Sequence, residues 1–319
     1  MKKFKVASLF CGAGGLDIGL EATGKFNTVF ANDIDKDACA TFSTWSNAKV
    51  VHGKIEDISD QDIPDDIDVV TGGFPCQGFS AAGPRQELDI RNKLYLELSR
   101  IIEAKRPIGF LAENVKGLTT MSGGLVLEKI VEDFSSKGYN LYYKLLNAAN
   151  YQVPQARERL ILVGIRKDID QGFEFPESTG QVTLYEAIGH FPEPKDEDVC
   201  DAPYSSRYLS RNRNRDWHEM SYTIPAMAKQ VTLHPSSPNM KKLDKDLWEF
   251  GEGSTRRFSW REAAAVQTFP ETLEFSGNLI SKYKQIGNAV PPKLAEAVGM
   301  KFAEALEKAL NNKQSKVVI

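Results

Sequence analysis

Residues Phe4–Ala22 read FKVASLFCGAGGLDIGLEA, and this stretch decides the fold. FKVASLF is a short, almost continuous apolar run with the character of a buried strand. Gly12, Gly14 and Gly15 then form a turn, and GLDIGLEA opens a helix. Glycines at such a turn let backbone N–H groups approach a ligand closely, at the positive end of the helix. The dinucleotide fingerprint G-x-G-x-x-G would need a third glycine at position 17, where this chain has Asp17. Two readings remain: a site for a nucleoside-bearing cofactor without a pyrophosphate, or a plain tight strand–helix turn.

Working outward, the alternation continues. TVFAND, KVVHG, IDVVTGGF, IGFLAENV, LYYKLLNA and RLILVGI read as strands. DKDACATFSTW, NKLYLELSRIIEAKR and LVLEKIVEDFSSKG read as helices, the last with Val126, Ile130 and Phe134 on one face. Strand and helix in turn predict an α/β fold with a mostly parallel, doubly wound sheet. Ligands in such sheets lie beyond the carboxyl ends of the strands. The glycine turn, Asp33, the loop after IDVVTGGF and Glu113 all fall at such ends. After about residue 167 the periodicity weakens and a smaller, loop-rich region is expected. At the far end PPKLAEAVGMKFAEALEKAL is an amphipathic helix expected to pack back on the first domain.

The chain has 319 residues, enough for one large domain or a large one with a smaller partner. The start, MKKFKVASLF, does not resemble a signal peptide, and no apolar run is long enough to predict a membrane span. Cys11, Cys39, Cys76 and Cys200 show no C-x-x-C spacing, which points to free thiols in a reduced, cytoplasmic setting. The histidines are not at metal-ligand spacing, so no metal is expected. The net charge is −3, yet RYLSRNRNR (207–215) holds four arginines and no acid. Lys241, Lys242, Arg256, Arg257 and Arg261 follow. Such a segment either meets a polyanion or is ordinary solvated surface.

Three further stretches carry chemistry. GGFPCQGFS (72–80) frames Cys76 between Pro75 and Gln77 in a glycine-flanked loop, a setting for a nucleophilic thiolate more than for a packing cysteine. Glu113 and Asn114 end the apolar strand FLAENV; an acid buried there beside a thiol would hold its proton toward neutral pH. In QARER the alternation places Gln155, Arg157 and Arg159 on one strand face, and arginine offers a planar fork for carbonyl or phosphate oxygens. Asp33, closing the second strand, suits ribose hydroxyls or a helix N-cap.

FCGAGG, Asp33, GGFPCQGFS, ENV, QARER, RRFSWREAAAVQTFP and QIGNAVPP, in that order over residues 4 to about 302, resemble the motifs of C5-cytosine-specific DNA methyltransferases of the bacterial restriction-modification type. The resemblance implies a Rossmann-like S-adenosylmethionine-dependent domain formed by residues 1–176 and 284–319, and a target-recognition domain at 177–283. It implies a cofactor held by Phe10, Gly12, Ala13, Gly14, Gly15, Asp33, Ile34, Ile55, Pro75, Leu94, Asn288 and Val290. It implies a cytosine flipped out of duplex DNA, attacked at C6 by Cys76, held at N3 by Glu113 and at O2 by Arg157, with Arg159 in the same catalytic set. GPRQELDIRNK resembles the family's mobile loop, with Gly83 and Pro84 as hinge and Arg85 and Arg91 as phosphate contacts.

SRNRNRDW and QVTLHPSSP resemble recognition segments of members that modify GGCC, which makes Arg211, Arg213 and Arg215 candidates for DNA contacts. A monomer acting on double-stranded DNA is implied, with a cognate restriction endonuclease acting separately. One position departs: many relatives carry an acid where GKI places Lys54, and lysine cannot accept from an adenine amino group, which leaves the backbone of Ile55 for that contact. Three rival functions fit the sequence less well. Transfer-RNA methylation goes with a Cys-Phe-Thr tripeptide that the chain lacks. A catalytically silent DNA-binding module would not need Cys76, Glu113 and Arg157. A nicotinamide oxidoreductase would not carry Asp17 in the fingerprint.

Overall fold

β1 (Phe4–Leu9), β2 (Phe26–Asp33), β3 (Lys49–His52), β4 (Val69–Gly72), β5 (Gly109–Val115), β6 (Tyr139–Asn147) and β8 (Glu158–Arg166) form one seven-stranded sheet, in the order β3-β2-β1-β4-β5-β8-β6. The computed structural model describes residues 3–74 and 93–317, and side chains as far as residue 312. β1 runs parallel to both β2 and β4, β2 to β3, and β4 to β5. The expected mostly parallel sheet is therefore present. β8 is the exception, antiparallel to β5 with Glu113 opposite Ile161 and Val115 opposite Arg159. It is reached from β6 without a helical crossover, the connection that parallel strands require.

The helices of this unit are α1 (Gly15–Ala22), α2 (Lys36–Trp45), α3 (Lys93–Lys105), α4 (Leu125–Ser136) and most of α8 (Pro292–Val317). The apolar stripe of α4, with Val126, Ile130 and Phe134 buried, lies in the same core cluster as Phe110, Leu160 and Leu162 of the sheet. Phe110 and Phe134 meet with ring centroids 4.3 Å apart. The terminal helix packs back as expected: Phe302 stacks on Phe26 of β2 at 6.0 Å. Gly299 lets α8 approach α1 closely, since a Cβ there would sit 2.7 Å from Leu20. Truncating a buried ring such as Phe302 to alanine costs roughly 3–5 kcal/mol, so α8 is an integral part of this unit's core.

A second unit comprises residues 147–157 and 178–294. It holds the short helix α5 (Leu184–Ile188), α6 (Trp260–Val266) and α7 (Leu279–Asn288). Two small sheets complete it: β7 (Gln155–Ala156) with β9 (Ser221–Tyr222), and β10 (Lys241–Asp244) with β11 (Leu247–Glu249). With so little regular structure, side chains satisfy much of its backbone. Gln267 donates to the carbonyls of Ile286 (3.0 Å) and Ala289 (2.7 Å) and accepts from Gln155, whose own Oε1 accepts from Ile224 N–H. Gly287 is required by space alone: a Cβ would lie 2.3 Å from the Pro225–Ala226 backbone.

Candidate active site

Strand order reverses between β1 and β4, and ligand crevices open at such switch points, beyond the carboxyl ends of the strands. The chain leaves β1 through Phe10 (φ +54°), Gly12 (φ +54°) and Gly14 (φ +87°). The two glycines differ in purpose. A Cβ on Gly14 would meet Trp45 at 2.3 Å, so Gly14 serves packing against α2. A Cβ on Gly12 would meet no described atom within 4 Å, so Gly12 keeps a space open. The turn is tied to β2: Gly12 N–H donates to Asp33 Oδ2 at 2.7 Å, and Cys11 N–H to the Asn32 carbonyl at 3.0 Å.

Asp33 is fixed on both sides, with Asp35 N–H donating to its Oδ1 at 2.8 Å. The two readings of this residue separate here. The cap of α2 is Asp35, whose side chain accepts from Asp37 and Ala38 N–H, and Asp33 stands at the strand end beside the glycine turn. Next to it Ile34 is 64% exposed, an apolar side chain presented to solvent at the same end of the sheet. Ile55 is buried and Lys54 exposed. Ala13 and Gly15 are buried within the turn, and Leu94, in the first turn of α3, packs on the core of this unit. Asp17 points inward: it is fully buried, and accepts from Ser8 Oγ at 2.9 Å and Thr28 Oγ1 at 3.3 Å. Burial pushes its carboxyl up to about 7. Burial, then Asp33 and Asp17, raise the neighbouring Cys11 thiol, which keeps it protonated and unreactive.

The second group of residues lies where β4 and β5 end. Glu113, 8% exposed, is paired with Arg159, Nε to Oε1 at 2.7 Å. Its other oxygen faces the end of β4, where a Cβ on Gly73 would be 3.5 Å from Oε2. Asn114 donates to the carbonyl of Phe74 at 3.1 Å, while its Oδ1 accepts from Val115 N–H at 2.8 Å. Phe74 also packs on Tyr95 of α3. Thus Phe74 is anchored to β5 by its backbone and to α3 by its ring. Pro75, Cys76, Arg85 and Arg91 lie outside the described residues.

The alternation in QARER does not run through. β7 ends at Ala156 and β8 begins at Glu158, so the pattern breaks at Arg157. Gln155 and Arg157 belong to the core of the second unit and Arg159 to the sheet of the first. Arg157 is 1% exposed, and its guanidinium donates to the carbonyls of Ile224 (3.2 Å), Gly287 (2.8 Å) and Ala289 (2.9 Å). The sequence does carry a sign of this break, since the apolar run of β8 starts only at Leu160. Of the recognition-segment arginines, Arg211 is exposed and Arg213 is buried. Arg215 is half-buried, 2.9 Å from Glu219 and stacked over Tyr222. Asn288 is exposed at the end of α7 and Val290 is buried.

A glycine turn at a switch point, a fixed carboxylate on the next strand, and a buried carboxylate–arginine pair two strands away stand together at the carboxyl ends of a doubly wound sheet, where enzymes of this architecture bind their ligands. Residues 4–304 match the family described as C-5 cytosine-specific DNA methylase, and the chain belongs to that family. It is similar to the type II methyltransferase M.BspRI of Lysinibacillus sphaericus, at 42% identity over 95% of this chain and 82% of that protein. It is also similar to the type II methyltransferase M.BsuRI of Bacillus subtilis, at 41% identity over 98% of this chain and 83% of that protein. Among solved structures, the Entamoeba histolytica methyltransferase EhMeth has a TM-score of 0.73 at 17% identity, over 98% of this chain and 99% of that one. A DNMT2 mutant from Spodoptera frugiperda has a TM-score of 0.72 at 18% identity, over 97% of this chain and all of that one. At those identities the structural likeness speaks for the fold. The enzyme is a DNA cytosine-5-methyltransferase that uses S-adenosylmethionine.

The residues of the first unit fit that cofactor. Asp33 would accept from ribose hydroxyls, Ile34 would present an apolar face to a purine, and the space at Gly12 would leave room for the bound cofactor. Among the described residues no helix is long and apolar enough to cross a membrane.

Proposed function

We propose that the enzyme methylates one cytosine in a short duplex sequence, GGCC, as the modifying partner of a restriction-modification system. The observation that carries the chemistry is the Glu113–Arg159 pair at the ends of β5 and β8. A cytosine ring is unreachable inside the base stack, so the base is flipped out before reaction. Cys76 attacks C6 as the thiolate, forming the S–C6 bond. Glu113 delivers a proton to N3 as the ring accepts that electron pair, and Arg159 balances the carboxylate that results. C5 gains enamine character and takes the methyl group. S-adenosylmethionine supplies that methyl on a positively charged sulfonium, a good leaving centre. Loss of the C5 proton to a water molecule of the solvent, return of the N3 proton to Glu113 and departure of the Cys76 thiolate regenerate the aromatic ring and the enzyme.

The role at O2 is assigned here to Arg159 and not to Arg157. Arg159 shares the first unit with Glu113, whereas Arg157 is committed to three carbonyls of the second unit. Asn114 supports the nucleophile indirectly, through the Phe74 carbonyl two residues before Cys76. The second unit reads the duplex, with Arg211 its exposed arginine of the SRNRNR segment, and Arg85 and Arg91 contact phosphates.

The test is labelled S-adenosylmethionine with genomic DNA and, in parallel, with transfer RNA, followed by bisulfite sequencing of the DNA product. Protection of one and the same cytosine within GGCC, and of no cytosine elsewhere, supports the whole reading. Protection confined to another short motif keeps the reaction and replaces the sequence. Label in transfer RNA and none in DNA overturns it.

A further inference from the structure

Two guanidinium groups of the second unit are buried with no carboxylate in reach among the described residues. Arg213 is 4% exposed and Arg257 is 1% exposed. Arg213 donates to the carbonyls of Tyr208 (3.0 Å), Gln230 (3.2 Å) and Arg207 (3.2 Å), and to Gln230 Oε1 (2.6 Å). Arg257 Nη1 donates to the carbonyls of Cys200 (2.8 Å) and Ala202 (2.9 Å). Its Nε and Nη2 have no hydrogen-bond partner among the described residues. Both cations lie on the Tyr208 ring, 4.7 and 5.0 Å from its centroid, and Arg257 also lies 4.0 Å from that of Tyr204. The neighbouring Arg256 shows the contrast: it is paired with Glu262 at 2.8 Å and with Glu193 at 3.1 Å.

Carbonyl dipoles and ring faces solvate a cation, but they do not cancel its charge. Burial, with like charge from Arg211, Arg207 and Arg257, brings Arg213 down to about 10, so these arginines feel one another. Arg207, whose carbonyl Arg213 holds, and Arg211 are exposed. A protein of net charge −3 has concentrated positive charge in one place, half of it inside.

We propose that Arg257, together with Arg213, is a built-in positive charge beneath the Arg207–Arg211 segment whose counter-charge is the phosphate backbone of the bound duplex. This rests on the reading of the second unit as the DNA-recognition part. Arg257 acts through its field and not by contact, because its guanidinium does not reach the surface. The aromatic faces of Tyr204 and Tyr208 make the charge tolerable in the free enzyme, and the polyanion makes it favourable in the complex.

The experiment measures binding of a short fluorescent duplex, across a salt series, by the wild-type enzyme and by Arg257→Met and Arg257→Lys, with melting temperature and S-adenosylmethionine affinity followed alongside. Arg257→Met is expected to weaken duplex binding about tenfold at low salt, with the deficit shrinking as salt rises. Its cofactor affinity is unchanged, while its melting temperature falls modestly because the carbonyls of Cys200 and Ala202 lose their donor. Arg257→Lys, which keeps the charge, restores most of the affinity. A deficit of equal size at low and high salt, no deficit, or failure of lysine to rescue overturns the inference. If Arg257→Met melts early, Arg257→Lys decides alone: wild-type salt dependence supports the charge, and its loss rejects it. A wild-type enzyme without affinity for duplex overturns the recognition reading itself, and the inference with it.

Discussion

Arg159 Nε lies 2.7 Å from Glu113 Oε1, across the antiparallel pair that β8 makes with β5. The arginine fixes one carboxylate oxygen and leaves the other directed to the end of β4, next to Gly73. On the proposed mechanism, the acid would thereby be oriented before the flipped base arrives. Glu113→Gln keeps the shape and loses the transferable proton. Its single-turnover methylation rate is expected to fall about 10²- to 10⁴-fold while cofactor affinity holds. A rate near that of wild type would remove Glu113 as the acid.

Cys76→Ser should abolish methyl transfer and leave S-adenosylmethionine binding largely intact. Duplex carrying 5-fluorocytosine should trap the wild-type enzyme covalently and not the serine variant, read on a denaturing gel. Substantial turnover by the serine variant would end the nucleophile assignment.

The two arginines of QARER should separate by phenotype. Arg157→Met strips donors from three buried carbonyls, at a cost of roughly 3 kcal/mol, and should lower the urea midpoint. Arg159→Met strips the cation from the largely buried Glu113 carboxylate, so it should cost turnover sharply and also some stability, a stability loss that adding Glu113→Gln relieves. A stability loss in Arg159→Met that Glu113→Gln does not relieve would contradict the division drawn between the two arginines.

Asp17 should make stability depend on pH near neutrality. Its carboxyl is raised to about 7 by burial, so between about pH 4 and 7 the native state binds a proton that the unfolded chain has lost. Stability therefore falls as pH rises through this window, by about 4 kcal/mol in full. Asp17→Asn cannot ionise and should lose that slope, checked by denaturant titrations at a series of pH values. Parallel curves for the two proteins would show that Asp17 does not titrate there.

Gly12 and Gly14 both have positive φ and should fail differently as alanine. Gly14→Ala drives a methyl into Trp45 and Phe42 and should lower melting temperature. Gly12→Ala meets no described atom, so beyond about 1 kcal/mol of backbone strain its cost should appear in cofactor affinity, measured by calorimetry.

The fold was legible because burial of a parallel sheet writes itself into local sequence: FKVASLF, TVFAND and FLAENV are apolar on both faces. Asp33 and Glu113 were legible for the same reason, as acids at the ends of apolar runs. The division within QARER was not, because alternation is a property of one strand and this segment contains two. The pairing of Arg257 with Tyr204 and Tyr208 was also hidden. It joins residues some fifty positions apart in a region with little periodicity, where aromatic faces and carbonyls do the work of secondary structure. Against the glycine fingerprint Asp17 is only a missing glycine, because its partners Ser8 and Thr28 lie on two different strands.

The grip of Arg157 on Ile224, Gly287 and Ala289 bears on how such enzymes exchange specificities. A chimera spliced at residues 177 and 283 would import Ile224 from the donor and keep Arg157, Gly287 and Ala289 from the recipient, so a foreign loop would have to present its carbonyl to a resident guanidinium. The segment Asn147–Arg157 belongs to the second unit and not to the first. Grafts that carry it along, together with the chain through Leu294, transfer lock and key together.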